Sequence, residues 1–365
     1  MTTAVAKQHF LTLDFLRGTA AFCVLLLHWF DGVGLPYCHY GYLAVDFFFL
    51  LSGFVIAHSY EQRLLSTMSV GRFLWIRFVR LYPLIVMGVV LGLVRAILRG
   101  HFTPEVAVAP VEYLMLTAAN LVMLPIPQQS VIGIGLFPLD AVLWSLLFEL
   151  AANAVYAVFV GRLSYRVLAG TILAGFIGLV AVLATGIGIE GSLNAGAEQA
   201  NLLGGFARIT FSFTLGILVY HLWSRDKLPS TAAGPWLLSA ALVAILCLPE
   251  GWLSPWAELV AVAILFPAIV VLGANHKVTG FAAWVSRVLG DLSYPVYVLQ
   301  VPVMWIIAGA LKAGHVYDRV PLVVVGVVVL GMIAALSWAA LKLVDEPVRR
   351  FLAGLGRTRA GTQNA

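Results

Sequence analysis

Residues 320–344 read VPLVVVGVVVLGMIAALSWAALKLV, an apolar run in which Lys342 is the one charged side chain. A helix needs about 20 mostly apolar residues to cross the hydrocarbon core of a bilayer. Nine further apolar runs occur, at 10–30, 41–60, 82–99, 141–160, 168–189, 205–223, 233–249, 255–274 and 292–312. The ten runs predict an all-α, polytopic membrane protein with about ten transmembrane helices.

The composition argues against the other broad classes of protein. Of the 365 residues, 61% are hydrophobic and 11% are charged, whereas a soluble domain is about a quarter charged. A soluble globule of this length has too little interior to bury so much apolar surface. Disordered chains are poor in aromatic and branched apolar residues, and the strands of a membrane β-barrel alternate polar and apolar residues instead of forming long apolar runs.

The distribution of basic residues predicts the orientation in the membrane. Cytoplasmic loops are enriched in lysine and arginine. With both termini in the cytoplasm, that side receives 17 of the 22 basic residues and the outer side receives five, Arg208 among them. A span at 111–125 would invert every later loop and remove this excess of basic residues on one side. We therefore predict that 111–125 is an interfacial or re-entrant segment. The stretch 61–81 carries four arginines among apolar residues and predicts a basic amphipathic helix on the inner surface.

The rest of the sequence predicts few other features. We expect one transmembrane domain over residues 1–350 and a short polar tail over 351–365, disordered after about Leu355. The three cysteines form neither a CxxC pair nor a cluster of metal ligands, so we predict no disulfide framework and no metal site. The net charge of +5 is explained by basic residues that flank the spans, and no nucleic-acid partner is expected.

The first run contains three ionisable residues, a type that is costly in hydrocarbon and usually faces an internal cavity. Asp14 and Arg17 are three residues apart, so they share a helix face and form either a structural or a functional ion pair. His28 follows Arg17 by three helical turns and lies on the same face, about 16 Å along the axis. A neutral imidazole is the usual general base near neutral pH, and a packed structural histidine is the alternative.

The second and fourth runs also contain buried acidic residues. Asp46 either hydrogen-bonds another helix or holds a histidine in one tautomer, as a carboxylate does in hydrolytic triads. Ser52 and Gly53 interrupt the second run and permit a close helix approach. In the fourth run Glu149 and Asn153 share a face, and Glu149 is either functional or bonded to another helix.

Arg77 and Arg80 share a helix face at the predicted membrane surface. The guanidinium group binds phosphate oxygens through a fork of donors. The same pair also suits the anionic head groups of membrane lipids. Binding of lipid head groups is the commoner use of such a pair.

An ordered set of motifs on these runs resembles the acyltransferase-3 family of bacterial membrane O-acyltransferases. The resemblance covers nearly the whole chain and depends on the combination of motifs, since each alone is weak. The motifs are LDFLRGTAA (13–21) with His28, VDFFFLLSGF (45–54), RFVRLYP (77–83), LWSLLFE (143–149), GDLSYPVYVLQ (290–300) and DEPVRR (345–350).

The resemblance implies a site and a reaction. It implies that His28 is the catalytic base, that Arg77 and Arg80 bind the acyl-CoA donor, and that Arg17, Ser52, Gly53 and Glu149 match further motif positions. Our own hypothesis adds that Asp46 or Glu149 orients the imidazole. The reaction would move an acyl group, with acetyl preferred, from acyl-CoA to a hydroxyl of an exported carbohydrate or glycolipid. The location would be the bacterial inner membrane, in contact with membrane lipids and without a metal. Two positions depart from the family pattern, because Asn153 lies near the place of a second acidic residue and Gln300 replaces a second histidine.

Two other functions fit the same residues. Ten spans with embedded Asp, Arg, His and Glu also describe a proton-coupled transporter, although no inverted repeats are visible. The chain could also serve as a non-catalytic scaffold in an envelope assembly. Loss of acyl transfer on replacing His28 distinguishes the enzyme from both.

Overall fold

The computed structural model describes residues 9–106, 108–126, 132–133 and 135–361, and within these ranges the chain is helical, without β-strands. The prediction of an all-α membrane protein is confirmed. Short 3₁₀ turns and two π-helical turns, Ala261–Leu265 and Leu341–Asp345, join or interrupt the helices. The α-helices are α1 Leu11–Gly32, α2 Ala44–Ser66, α3 Val70–Phe102, α4 Pro110–Leu121, α5 Leu143–Phe159, α6 Tyr165–Thr185, α7 Leu202–Trp223, α8 Pro235–Leu246, α9 Pro255–Val260, α10 Phe266–Ala274, α11 Gly280–Ala313, α12 Leu322–Ala340 and α13 Glu346–Gly361.

Within the described residues the chain passes ten times between two ends of the bundle. We call the end with the start of α1 the proximal face and the end with residues 39–43 the distal face. Nine helical stretches in this part of the chain are long and apolar enough to span a membrane, whereas α8 has 12 residues. The contacts show that α8 nevertheless runs between the faces, because Ala233 N donates to Leu272 O (3.2 Å) before it and His39 N donates to Leu248 O (3.2 Å) after it. The first and last helices therefore share the proximal face, and that this face is cytoplasmic stays a prediction.

Helix α3 corrects the prediction of a separate surface helix over 61–81. Residues up to Ser66 belong to α2, and α3 then runs without interruption for 33 residues, through Pro83. The Ser69 side chain caps its start by accepting a hydrogen bond from the backbone N–H of Arg72. A proline inside a transmembrane helix is tolerated when neighbouring helices support the backbone, so Pro83 does not end the helix. At 1.5 Å per residue, α3 is about 50 Å long.

Helix α4 agrees with the prediction of a re-entrant piece over 111–125. Its 12 residues are too few for a span. Tyr113 Oη donates to Ala96 O (3.5 Å) near the distal end of α3, while Leu121 lines a groove with Leu81, nearer the proximal end. The chain then returns, and Leu139 packs so closely on Gly92 that a Cβ there would lie 2.0 Å from the Leu139 carbonyl oxygen.

Helix α13 extends into the tail predicted over 351–365, and the separation of this tail from the transmembrane domain stays a prediction. A π-helical turn at Leu341–Asp345 joins α12 to α13, which continues to Gly361. Arg349 Nε lies 3.2 Å from Asp345 Oδ2 at this junction. Residues 362–365 of the predicted tail lie outside the described residues.

Candidate active site

A cavity of about 610 Å³ begins at the proximal face, between α1, α2, α3, α5, α11 and the junction of α12 with α13. Its lining on α2 extends from Tyr60 to Val45, a distance of about 22 Å at 1.5 Å per residue. A bilayer's hydrocarbon core is about 30 Å thick, so the cavity penetrates deeply into the membrane. Five of the residues predicted for the site line it, namely Arg17, Ser52, Arg77, Arg80 and Glu149.

Glu149 lies at the centre of one polar cluster in this cavity. The hydroxyl of Ser52 and Nη2 of Arg77 both donate to its Oε1 atom, each at 2.8 Å. Arg77 is 8% exposed, so its charge is compensated mainly by Glu149. A membrane-embedded ion pair with an additional hydroxyl contact explains how α2, α3 and α5 tolerate these groups.

Arg17 lies at the centre of a second polar cluster. The ion pair predicted with Asp14 is present, at 2.9 Å. Arg17 also donates from Nε to Ser293 Oγ and from Nη2 to Gly290 O, both at 2.9 Å. The two α11 residues come from the GDLSYPVYVLQ motif, so two separate sequence motifs meet at one guanidinium.

The proximal mouth of the cavity is rich in arginine. Arg80 and Arg287 are exposed at this mouth, and no ion pair is formed by either of them among the described residues. Arg349 is half-buried beside Asp345. The exposed Asp291 also lines the cavity, so the two exposed arginines leave a small net positive charge, which suits an anionic ligand.

Asp46 does not line this cavity, and of the two alternatives predicted for it the structure contains the hydrogen bond to another helix and not the contact with a histidine. It is 1% exposed and pairs with Arg208, which is 0% exposed. Arg208 Nη2 lies 2.7 Å from Asp46 Oδ2, and Arg208 Nε lies 3.3 Å from the other oxygen. Arg208 also donates to the backbone oxygens of Ala195 and Tyr42. Arg208 lies in the distal part of α7, as its count among the outer basic residues implied, but it is a buried partner of Asp46.

Gly53 was predicted with Ser52 as part of the donor site, but it lies on a different face of α2. A Cβ at Gly53 would lie 2.0 Å from the carbonyl oxygen of Phe213 in α7. Gly53 does not line the cavity. Its contact supports the close helix approach that the sequence also predicted, and not the binding of a donor.

Substitution Gly53→Ala is expected to reduce the yield of folded protein several-fold, because the added methyl group collides with the α7 backbone. Fluorescence-detected size-exclusion chromatography of detergent extracts measures this yield. Gly71→Ala is the matched control, since a Cβ there meets no atom within 4 Å. A normal yield of Gly53→Ala together with weakened donor binding would restore Gly53 to the donor site.

His28 lies beyond the inner end of the cavity and does not line it. It is half-buried in the last turns of α1. Gly41 packs on Leu27 and α2 runs antiparallel to α1, so Val45 is level with about residue 23 of α1. His28 is therefore about 7 Å along the axis past the last lining residue of α2. The structure thus separates the predicted base from the predicted donor residues, with the cavity directed toward it.

Gln300, the residue that departs from the family pattern, lies at about the same level. Leu289 packs on Gly18, and both α1 and α11 begin at the proximal face. Gln300 lies three turns beyond Leu289, and His28 lies three turns beyond Arg17, the neighbour of Gly18. The two residues are therefore at about the same depth. Its side chain is 0% exposed, and neither amide atom has a hydrogen-bond partner within the described structure.

Sequence reasoning missed several residues of this region. Ser293, Asp345 and Arg349 belong to the GDLSYPVYVLQ and DEPVRR motifs, which were part of the resemblance. The motifs therefore pointed to these residues, although no role was predicted for them. Arg287 lies just outside the first of these motifs. Arg208 gave no signal in the sequence, since its partner Asp46 is 162 positions away.

Residues 10–342 match the family model described as "Acyltransferase domain". The chain belongs to the acyltransferase-3 family. A relative from Rhizobium radiobacter, "Protein 2 in picA locus", is 39% identical over 158 residues, which cover 41% of this chain and 82% of that protein. No solved structure is a significant match. An acyltransferase-3 protein whose described residues form nine long apolar helices is a multi-pass membrane acyltransferase, and this membership favours the enzyme over the transporter and scaffold alternatives.

Proposed function

We propose that this acyltransferase transfers an acetyl group from acetyl-CoA to a hydroxyl of an exported carbohydrate or glycolipid, in the inner membrane of a bacterium. The observation that supports this proposal best is the arginine-rich cavity, which begins at the proximal face and extends about 22 Å toward His28. The excess of basic residues on the proximal side supports a cytoplasmic orientation of that face, where acyl-CoA is available.

The donor's phosphates bind at the mouth in this proposal. Arg80 and Arg287 are exposed there, and Arg349 lies beside them. Guanidinium groups bind phosphate oxygens through charge-assisted hydrogen bonds. Arg77 has a different role, because its side chain is nearly buried and bound to Glu149. It holds Glu149 and Ser52 in place below the mouth.

The extended pantetheine arm then places the thioester toward the inner end of the cavity. His28 takes the proton of the acceptor hydroxyl as the hydroxyl oxygen attacks the thioester carbonyl carbon. The carbon–sulfur bond breaks, and the CoA thiolate recovers the proton from the imidazolium. Arg17 is about 16 Å from His28 along α1, so it acts on the donor and not on the oxyanion beside His28.

Replacement of either exposed arginine, Arg80→Ala or Arg287→Ala, is expected to raise KM for acetyl-CoA about tenfold or more with a smaller change in kcat. Loss of one charge-assisted hydrogen bond costs about 1.5–3 kcal/mol. Transfer of labelled acetyl groups in membrane vesicles measures both constants. Arg72→Ala is the matched control, because Arg72 is exposed on the same helix outside the cavity. An unchanged KM in both variants would place the donor site elsewhere.

The acceptor requires a separate measurement. Mass spectrometry of surface glycans from cells with and without the protein should show a mass difference of one acetyl group on a carbohydrate. A wild-type protein that transfers no label from acetyl-CoA to any membrane or glycan fraction would contradict the proposal as a whole.

A further inference from the structure

The three cysteines of the chain meet at the distal end of α1, although they are far apart in sequence. Cys23 lies in α1, Cys38 precedes the 3₁₀ turn at His39–Leu43, and Cys247 directly follows α8. The sulfur atoms of Cys23 and Cys247 are 3.8 Å apart, and Cys38 is brought to the same place because its neighbour His39 donates from N to Leu248 O at 3.2 Å. All three are free thiols in this structure.

We propose that these residues form a disulfide site in which Cys247 is the shared partner of Cys23 and Cys38. The backbone hydrogen bond from His39 N to Leu248 O joins the residue after Cys38 to the residue after Cys247. Formation of a bond from 3.8 Å to the disulfide length of about 2.05 Å needs a movement of less than 2 Å by the two side chains.

A metal centre is a less suitable interpretation of the cluster. The described residues contain no group of three or more His, Cys, Asp or Glu side chains placed to hold a metal ion. A purely structural cluster of unreactive thiols is also a poor interpretation, because Cys247 is accessible. Cys23 and Cys38 are buried, whereas Cys247 is only half-buried, so the shared thiol is the most accessible of the three.

The reaction consumes an external disulfide, either a protein or a small molecule. The thiolate of Cys247 attacks one sulfur of the external disulfide, and the other sulfur leaves as a thiol. The thiolate of Cys23 or Cys38 then attacks Cys247 and releases the second external sulfur as a thiol. Two electrons and two protons pass to the oxidant. With the proximal face cytoplasmic, the cluster lies toward the outer compartment, where disulfides persist.

The product would join α1, or the loop that follows it, covalently to the end of α8. A bond from Cys23 to Cys247 joins α1 to the end of α8, five residues before His28. A bond from Cys38 to Cys247 joins the loop after α1 to the same point. Either bond fixes the distal end of the helix that carries His28. The inference rests on the positions of the sulfur atoms and does not depend on acetyl transfer.

Thiol counting on the full-length protein in native membranes tests the proposal. Membranes are treated with diamide, which accepts the two electrons and two protons, and are then dissolved in SDS with a polyethylene-glycol maleimide that adds mass at each free thiol. We expect three adducts on the untreated wild type, one after diamide, and three again after a reductant. Cys23→Ser and Cys38→Ser each keep one pair and should fall from two adducts to none, whereas Cys247→Ser should keep two.

Each outcome decides the proposal. If either Cys23→Ser or Cys38→Ser keeps two thiols after diamide, the disulfide forms between Cys247 and the cysteine that this variant lacks. That outcome still supports Cys247 as the shared partner. Three adducts on the diamide-treated wild type, loss of both thiols in Cys247→Ser, or a crosslinked dimer on a non-reducing gel would overturn it. Size-exclusion profiles of the variants verify that each is folded before the thiols are counted.

Discussion

Substitution His28→Ala is expected to lower kcat for acyl transfer about 10²–10⁴-fold, which is the usual contribution of a positioned general base. The KM for acetyl-CoA should change little, because His28 lies beyond the residues that line the donor cavity. Initial rates with labelled acetyl-CoA and a saturating glycan acceptor measure the effect. The variant should elute from size-exclusion chromatography as the wild type does, since His28 is only half-buried.

His101→Ala is the matched control for this experiment. His101 is an exposed histidine at the distal end of α3, so its loss should leave both constants unchanged. A folded His28→Ala protein that transfers acetyl at the wild-type rate would show that another group takes the hydroxyl proton. A parallel rise in KM would show instead that the donor extends as far as His28 in the ground state.

Breaking the buried ion pair between Asp46 and Arg208 is expected to have the largest effect on stability. Both side chains are 0% exposed, and removal of one partner leaves the other charge uncompensated in a medium of low dielectric. Such a change costs about 3–5 kcal/mol. Asp46→Asn and Arg208→Met should therefore each lower the midpoint of thermal unfolding in detergent strongly, as followed by the fraction that remains monodisperse after heating.

The double variant makes this prediction specific. Asp46→Asn combined with Arg208→Met removes both charges, so its loss of stability should be clearly smaller than the sum of the two single losses. Asp226→Asn is the control, because Asp226 is exposed in the turn after α7 and asparagine tolerates its positive φ of 53°. If the single variants unfold at the wild-type temperature, the pair is not what stabilises the contact between α2 and α7.

The features that sequence predicted well are those set by neighbouring residues. The membrane spans follow from local hydropathy, which depends on a window of about 20 residues. The ion pair of Asp14 with Arg17 follows from their spacing on one helix, and the structure contains it. Arg77 and Arg80 share a helix as predicted, but spacing could not show that one is buried against Glu149 while the other is exposed.

The features that sequence did not predict depend on contacts between distant helices. Asp46 had several candidate partners, and nothing local selected Arg208 in α7. The boundary of α3 was misplaced because the arginines of 61–81 indicated a separate helix on the membrane surface, and only the structure shows that one helix continues through them. The position of His28 relative to the cavity depends on the packing of α1 against α2 and α11, which no single motif describes.

The short helix α8 has a consequence for the surrounding lipid. At 12 residues it is about 18 Å long, little more than half the thickness of the hydrocarbon core. Trp236 and Leu237 face outward from it, and Thr19 of α1 is hydrogen-bonded to its Ser239. A bilayer compresses beside an apolar segment that is too short for it. We therefore expect the bilayer to be locally thinner on this side of the protein. A sugar head group would then cross a thinner hydrocarbon layer to reach the distal half of α1.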